Sequence, residues 1–206
     1  MRGSKLGLTL VEVLISSTLL LLLTGLSWRA VQESTRYYQR SETQLQLERD
    51  AMTTLSFVSR ELSETNLDES REYSQGIVYP LARDISGKIT RGSSGLLLWS
   101  SLACIRSETV AGETSLVREQ SLIPQTQFVP KLSALQPPRT PSQFATAGLP
   151  SRKLQGNLKG VVFRRKDVSQ PPDGKNDLIE IEMSLEAKVE NREFGIVLES
   201  RIYPRN

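Results

Sequence analysis

Histidine is absent from the 206 residues, and there is one cysteine, Cys104. The first absence removes the commonest general base and the commonest metal ligand, so a hydrolytic triad or a zinc site would need unusual substitutes. The second excludes an intramolecular disulfide and leaves stability to packing. Cys104 follows the apolar stretch 96–102 and reads as a small buried residue rather than a nucleophile. No basic cluster stands clear of acids, for the run Arg164-Arg165-Lys166 ends in Asp167. Phosphate backbones are bound by clustered Lys and Arg, so nucleic acid is not an expected partner. No pair of carboxylates has a spacing that singles it out, and neither an enzymatic activity nor a cofactor is expected.

What is present is unevenly spread. A chain of 206 residues has room for one soluble domain of roughly 100–150 residues and an attached segment. The first seven residues, MRGSKLG, carry Arg2 and Lys5 and no acid; without them the formal charge falls from +3 to +1. Residues 8–28 then contain a single charge, Glu12, and a leucine-rich centre at 19–23. At about 1.5 Å per residue a helix of that length spans roughly 30 Å, the thickness of the hydrocarbon layer. Trp28 and Arg29 stand where an interfacial aromatic and a polar stop belong. Positive residues before the run place the N-terminus in the cytoplasm and the remainder on the exported side.

After Arg29 the chain turns polar but has no proline as far as Arg71. Leu45, Met52, Leu55, Val58 and Leu62 recur at helical spacing, with Glu42, Arg49, Arg60 and Glu64 opposite. One helix over 8–67 is therefore expected, its first half in lipid and its second half amphipathic. Beyond Gly76 the pattern becomes strand-like, with candidates at 77–81, 96–102, 115–123, 160–166, 178–189 and 193–203. The fifth alternates Ile179, Ile181, Met183, Leu185 with Glu180, Glu182, Ser184, Glu186, as a half-buried antiparallel strand does. Asn191 and the run Pro171-Pro172-Asp173-Gly174 mark turns, which makes the C-terminal third a three-stranded meander. Residues 124–150, rich in Pro, Ser, Gln and Thr, read as a long surface loop. The fold class is α+β, a long N-terminal helix packed on antiparallel sheet, divided into a leader (1–7), a transmembrane helix (8–28), an amphipathic continuation (29–70) and a β-rich domain (71–206).

The stretch Gly7-Leu8-Thr9-Leu10-Val11-Glu12-Val13-Leu14-Ile15 resembles the type IV prepilin signature: a short basic leader ending in Gly, an apolar residue, and Glu at the fifth mature position. The resemblance implies cleavage between Gly7 and Leu8 by a prepilin peptidase, N-methylation of Leu8, and a role for Glu12 in neutralising the N-terminus of a neighbouring subunit during assembly. It also implies a pilin-like fold, a bacterial inner-membrane location with the domain in the periplasm, and later residence in a pilus or pseudopilus. Other pilins or pseudopilins, the inner-membrane assembly platform protein and membrane lipid are the implied partners. Elementary physics agrees, since a carboxylate in an apolar helix is costly unless paired, and cleavage before Leu8 creates a cationic amine. Alternatively, Glu12 lies one turn into the segment and can snorkel to the headgroups.

The ending Ser200-Arg201-Ile202-Tyr203-Pro204-Arg205-Asn206 and the helical run Phe57-Val58-Ser59-Arg60-Glu61-Leu62 look like minor pilins or J-type minor pseudopilins of type II secretion. A lone Cys104 cannot make the disulfide usual in major pilins. Asp173, Asn176 and Asp177 are the only residues placed like a calcium loop and are better read as turn chemistry, so no metal is expected. Two rivals stay open. A secretory signal peptide cut near Ser27 would release a soluble domain, although Glu12 and the apolar length oppose it. A signal-anchored periplasmic adaptor or sensor would use the same anchor outside any filament.

Overall fold

The computed structural model describes residues 9–66, 69–83, 88–93, 95, 97–123, 140–167, 178–189 and 192–204. The fold is α+β. Helix α1 runs from Leu10 to Ser63, 54 residues with no proline and one glycine, Gly25. It ends four residues before the expected boundary. The last turn tightens there, with Glu64 N–H donating to Glu61 O at 3.2 Å and Thr65 N–H to Leu62 O at 3.3 Å. Thr65 Oγ1 then donates to Pro80 O at 2.9 Å, tying the end of the helix to the following strand region.

The chain divides into two units, one reaching Leu45 and one beginning at Gln46. The described part of the first is almost wholly α1, and it exposes every residue from Leu10 to Gln39. The second contains the rest of α1, two antiparallel sheets and a short helix.

The larger sheet has strand order β1-β2-β3-β4-β5, formed by Arg71–Tyr73, Gly76–Leu81, Ser101–Val110, Glu113–Leu122 and Ser151–Gln155. The smaller is the expected meander, β6-β7-β8, formed by Leu158–Lys166, Leu178–Val189 and Arg192–Ile202. One core joins them to α1. Leu47, Ala51, Leu55, Val58 and Leu62 of the helix share it with Ile77, Tyr79 and Ile105 of the larger sheet and Ile179, Ile181, Met183 and Leu185 of the smaller.

Two residues of the expected helical face are corrected. Leu45 and Met52 are 63% and 60% exposed. At 100° per residue they stand roughly 120–140° round the helix from Val58. Ala51 and Thr54 occupy the packed face instead. Both are small or polar enough to escape a count of large apolar residues. Thr54 is admitted because its hydroxyl bonds Leu154 O and Gln155 Oε1, each at 3.1 Å.

The strand expected at 96–102 is also displaced. Leu97 makes only an isolated bridge to Arg91, and the regular strand begins at Ser101 and continues through Arg106, Ser107 and Glu108. Charged residues extend it because Arg106 is neutralised across the sheet by Glu119. Inside the stretch read as a loop, Pro141–Thr146 forms helix α2, capped by Thr140 with Gln143 and starting on proline. Its Phe144 is fully buried on Val78 and Cys104, on the sheet face away from α1. Residues 124–139, the turn at 171–174 and Asn191 lie outside the described residues.

Candidate functional site

The N-terminal end of α1 holds the one sequence-predicted site residue that is described, Glu12; Gly7 and Leu8 lie outside the described residues. Thr9, just before the helix, donates its backbone N–H and its Oγ1 hydroxyl to Glu12 Oε2, both at 2.9 Å. The Glu12 N–H donates back to Thr9 Oγ1 at 3.3 Å. This reciprocal arrangement is a capping box, and it puts a negative charge where the helix dipole favours one. The spacing Thr-x-x-Glu was present in the sequence but hidden behind the reading of Glu12 as a lone carboxylate. Both bonds fall on Oε2, and Glu12 is exposed.

The apolar segment beyond it is long and hydrophobic enough to cross a membrane, and none of its most apolar window is buried within the protein. The hydroxyls of Ser17, Thr18 and Thr24 are satisfied by carbonyls of the same helix. Ser17 Oγ and Thr18 Oγ1 both donate to Leu14 O, at 3.0 and 2.8 Å. Glu12 is therefore the only charge between Thr9 and Trp28. The helix passes through Gly25 without a break.

A second polar cluster joins the helix to the larger sheet. Glu61 Oε2 accepts from Tyr79 Oη at 2.5 Å and from Arg118 Nε at 2.8 Å. Beside it Arg83 holds Glu64 through two bonds, 2.6 and 2.7 Å. A cavity of about 340 Å³ is lined by Arg60, Glu61, Glu64, Leu81 and Arg83. Burial, and then the Glu61 carboxylate, push the Tyr79 phenol well above its ordinary value, so it stays protonated. Each carboxylate here is engaged by a cation, which suits a structural clasp rather than acid–base chemistry. Sequence reasoning missed the cluster because Tyr79 and Arg118 lie 18 and 57 positions from Glu61.

Cys104 is buried, as expected. Burial, followed by the nearby Glu119 carboxylate, pushes its thiol up to about 12 against a smaller opposing effect of Arg106. It is an inert thiol. Among the described residues no three of His, Cys, Asp and Glu cluster as metal ligands. Asp173, Asn176 and Asp177 lie outside them.

No protein-family model, no curated protein and no solved structure matches this chain.

Proposed function

We propose that the chain is a minor type IV pilin or minor pseudopilin, a non-enzymatic subunit held in the bacterial inner membrane by α1 before it joins a filament. The observation that carries this reading is the position of Glu12. It is the sole charge of an apolar segment that continues, in one helix, into an amphipathic half packed on antiparallel sheet.

A prepilin peptidase would cut between Gly7 and Leu8, and the new α-amine, N-methylated at Leu8, would lie close to the carboxylate in sequence. The capping box is compatible with a further bond, because Thr9 uses only Oε2 of Glu12. Oε1 can accept from the amine of a neighbouring pilin or pseudopilin as the subunit leaves lipid for the assembly platform. In a medium of low dielectric that pairing is worth far more than in water.

The cap also favours a rival in which Glu12 merely starts the helix of a signal-anchored adaptor or sensor. Glu12→Gln separates the two. Glutamine at this position still completes a capping box, so the rival expects unchanged behaviour, whereas the filament reading expects normal membrane insertion with loss of incorporation. Coexpression with a prepilin peptidase should yield a mature chain beginning at Leu8 by N-terminal mass spectrometry. An uncut leader in the presence of the enzyme, or a chain beginning at Trp28, would overturn the filament reading.

A further inference from the structure

Among the described residues four strands lie at sheet edges, and three of them are blunted. β1 has three residues. β5 has five, its pairing with β4 shifts register at Leu116/Val117, and its Leu154 carbonyl is taken by Thr54. β6 carries a register shift at Leu158/Gly160, and its Arg165 N–H donates to Glu72 Oε2 at 3.0 Å. Short strands, bulges and covered backbone groups are the usual means of stopping an edge from pairing.

β8 has none of these. It is eleven residues long, contains no proline, and pairs with β7 without interruption from Ile179↔Ile202 to Val189↔Arg192. Among the described residues no backbone hydrogen bond reaches it from the side away from β7. Ile202 at its end is buried, but the core-facing side chains before it are incompletely covered: Phe194, Ile196 and Leu198 are half-buried, while Ile181, Met183 and Leu185 of the neighbouring strand are at most 1% exposed.

The other face of the strand is electrostatically unfinished. Glu199 is exposed and stands directly opposite Glu182. Like charges in that position repel. Arg164 pairs with Glu182 from β6, on the far side of β7. Arg201 pairs with Glu180 at 3.4 Å. A cation placed beyond β8 would relieve Glu199.

We propose that β8 is a docking edge for an extended segment of a partner polypeptide that alternates apolar residues, beside Ile196 and Leu198, with Lys or Arg beside Glu199. Main-chain bonds to the edge supply affinity and the alternating side chains supply selectivity. This surface is independent of the filament reading, since it involves neither Glu12 nor the N-terminal segment.

The test uses the full chain in phosphatidylcholine nanodiscs and a short fluorescein-labelled peptide alternating valine and lysine. Saturable binding by anisotropy is expected, with hydrogen exchange of β8 amides slowed by about tenfold or more as those amides become bonded. Glu199→Lys, which removes the repulsion with Glu182 and so should fold, is expected to weaken binding about fivefold, the equivalent of one cross-strand charge pair. A valine–glutamate peptide, or the valine–lysine peptide N-methylated at alternate residues, should bind weakly or not at all. Equal binding of the N-methylated peptide would overturn the proposal, because the contact would then be ionic alone. Two further results also overturn it: β8 amides already protected before peptide is added, so that another segment of the chain covers the edge, and self-association of the chain through β8.

Discussion

Arg106 is held on β3 by three bonds to carboxylates: Nε and Nη2 to the two oxygens of Glu119, at 3.1 and 2.9 Å, and Nη2 to Glu108 Oε1 at 2.8 Å. The side chains of Arg106 and Glu119 are only 8% and 5% exposed. A pair of this kind is compensated rather than strongly stabilising, because desolvation of both ions offsets their attraction. Removing one partner is a different matter. Glu119→Ala should cost about 1–3 kcal/mol by chemical denaturation, since it removes two of the three bonds to a largely buried guanidinium and leaves it only Glu108. Arg106→Met with Glu119→Leu should cost much less than that single change. A double replacement as damaging as Glu119→Ala would show that the loss comes from packing. Glu12 is the contrasting case. Its isolation was legible because it is the single charge of an apolar run, whereas Arg106, Glu119 and the Glu61 cluster depend on residues that only the folded sheet brings together.

The elements follow the same division. β7 was readable to the residue because its two faces differ in polarity from Ile179 onward. The β3–β4 hairpin was not, because its outer ends are polar on both faces and its turn lacks the usual Asn-Gly. Val110 pairs with Glu113 around Ala111 and Gly112, with φ of 52° and 85°. Both fall in the left-handed region that mirror-image hairpin turns require. Glycine adopts it freely, but an alanine there is strained. Ala111→Asn should therefore raise stability by roughly 1 kcal/mol, read as a higher denaturation midpoint with an unchanged m-value. A neutral or negative change would mean that the turn is not strained. Helix α2 was missed for another reason. Thr140-Pro141-Ser142-Gln143 is a complete start signal, but it is followed by a single turn with one large apolar residue, Phe144, too little for a periodicity to register.

For the whole molecule, the helix plays two parts that are separable along the sequence. Every α1 residue that enters the core, from Leu47 to Leu62, belongs to the unit beginning at Gln46, while the exposed apolar residues from Leu10 to Trp28 belong to the other. A chain starting at Gln46 should then be soluble without detergent and retain the cooperative unfolding of the domain. A chain starting at Glu64 should not fold. It would lose Leu47, Leu55, Val58 and Leu62, each contributing about 1.5–3 kcal/mol by burial, a sum of order 10 kcal/mol and comparable with the total stability of a domain. It would also lose Glu61, leaving the buried Tyr79 hydroxyl and the Arg118 guanidinium without their shared acceptor. Circular dichroism and thermal melts of the two truncations decide the matter. If the shorter chain melts cooperatively, the sheets are self-sufficient and α1 is an attachment to the domain rather than part of its core.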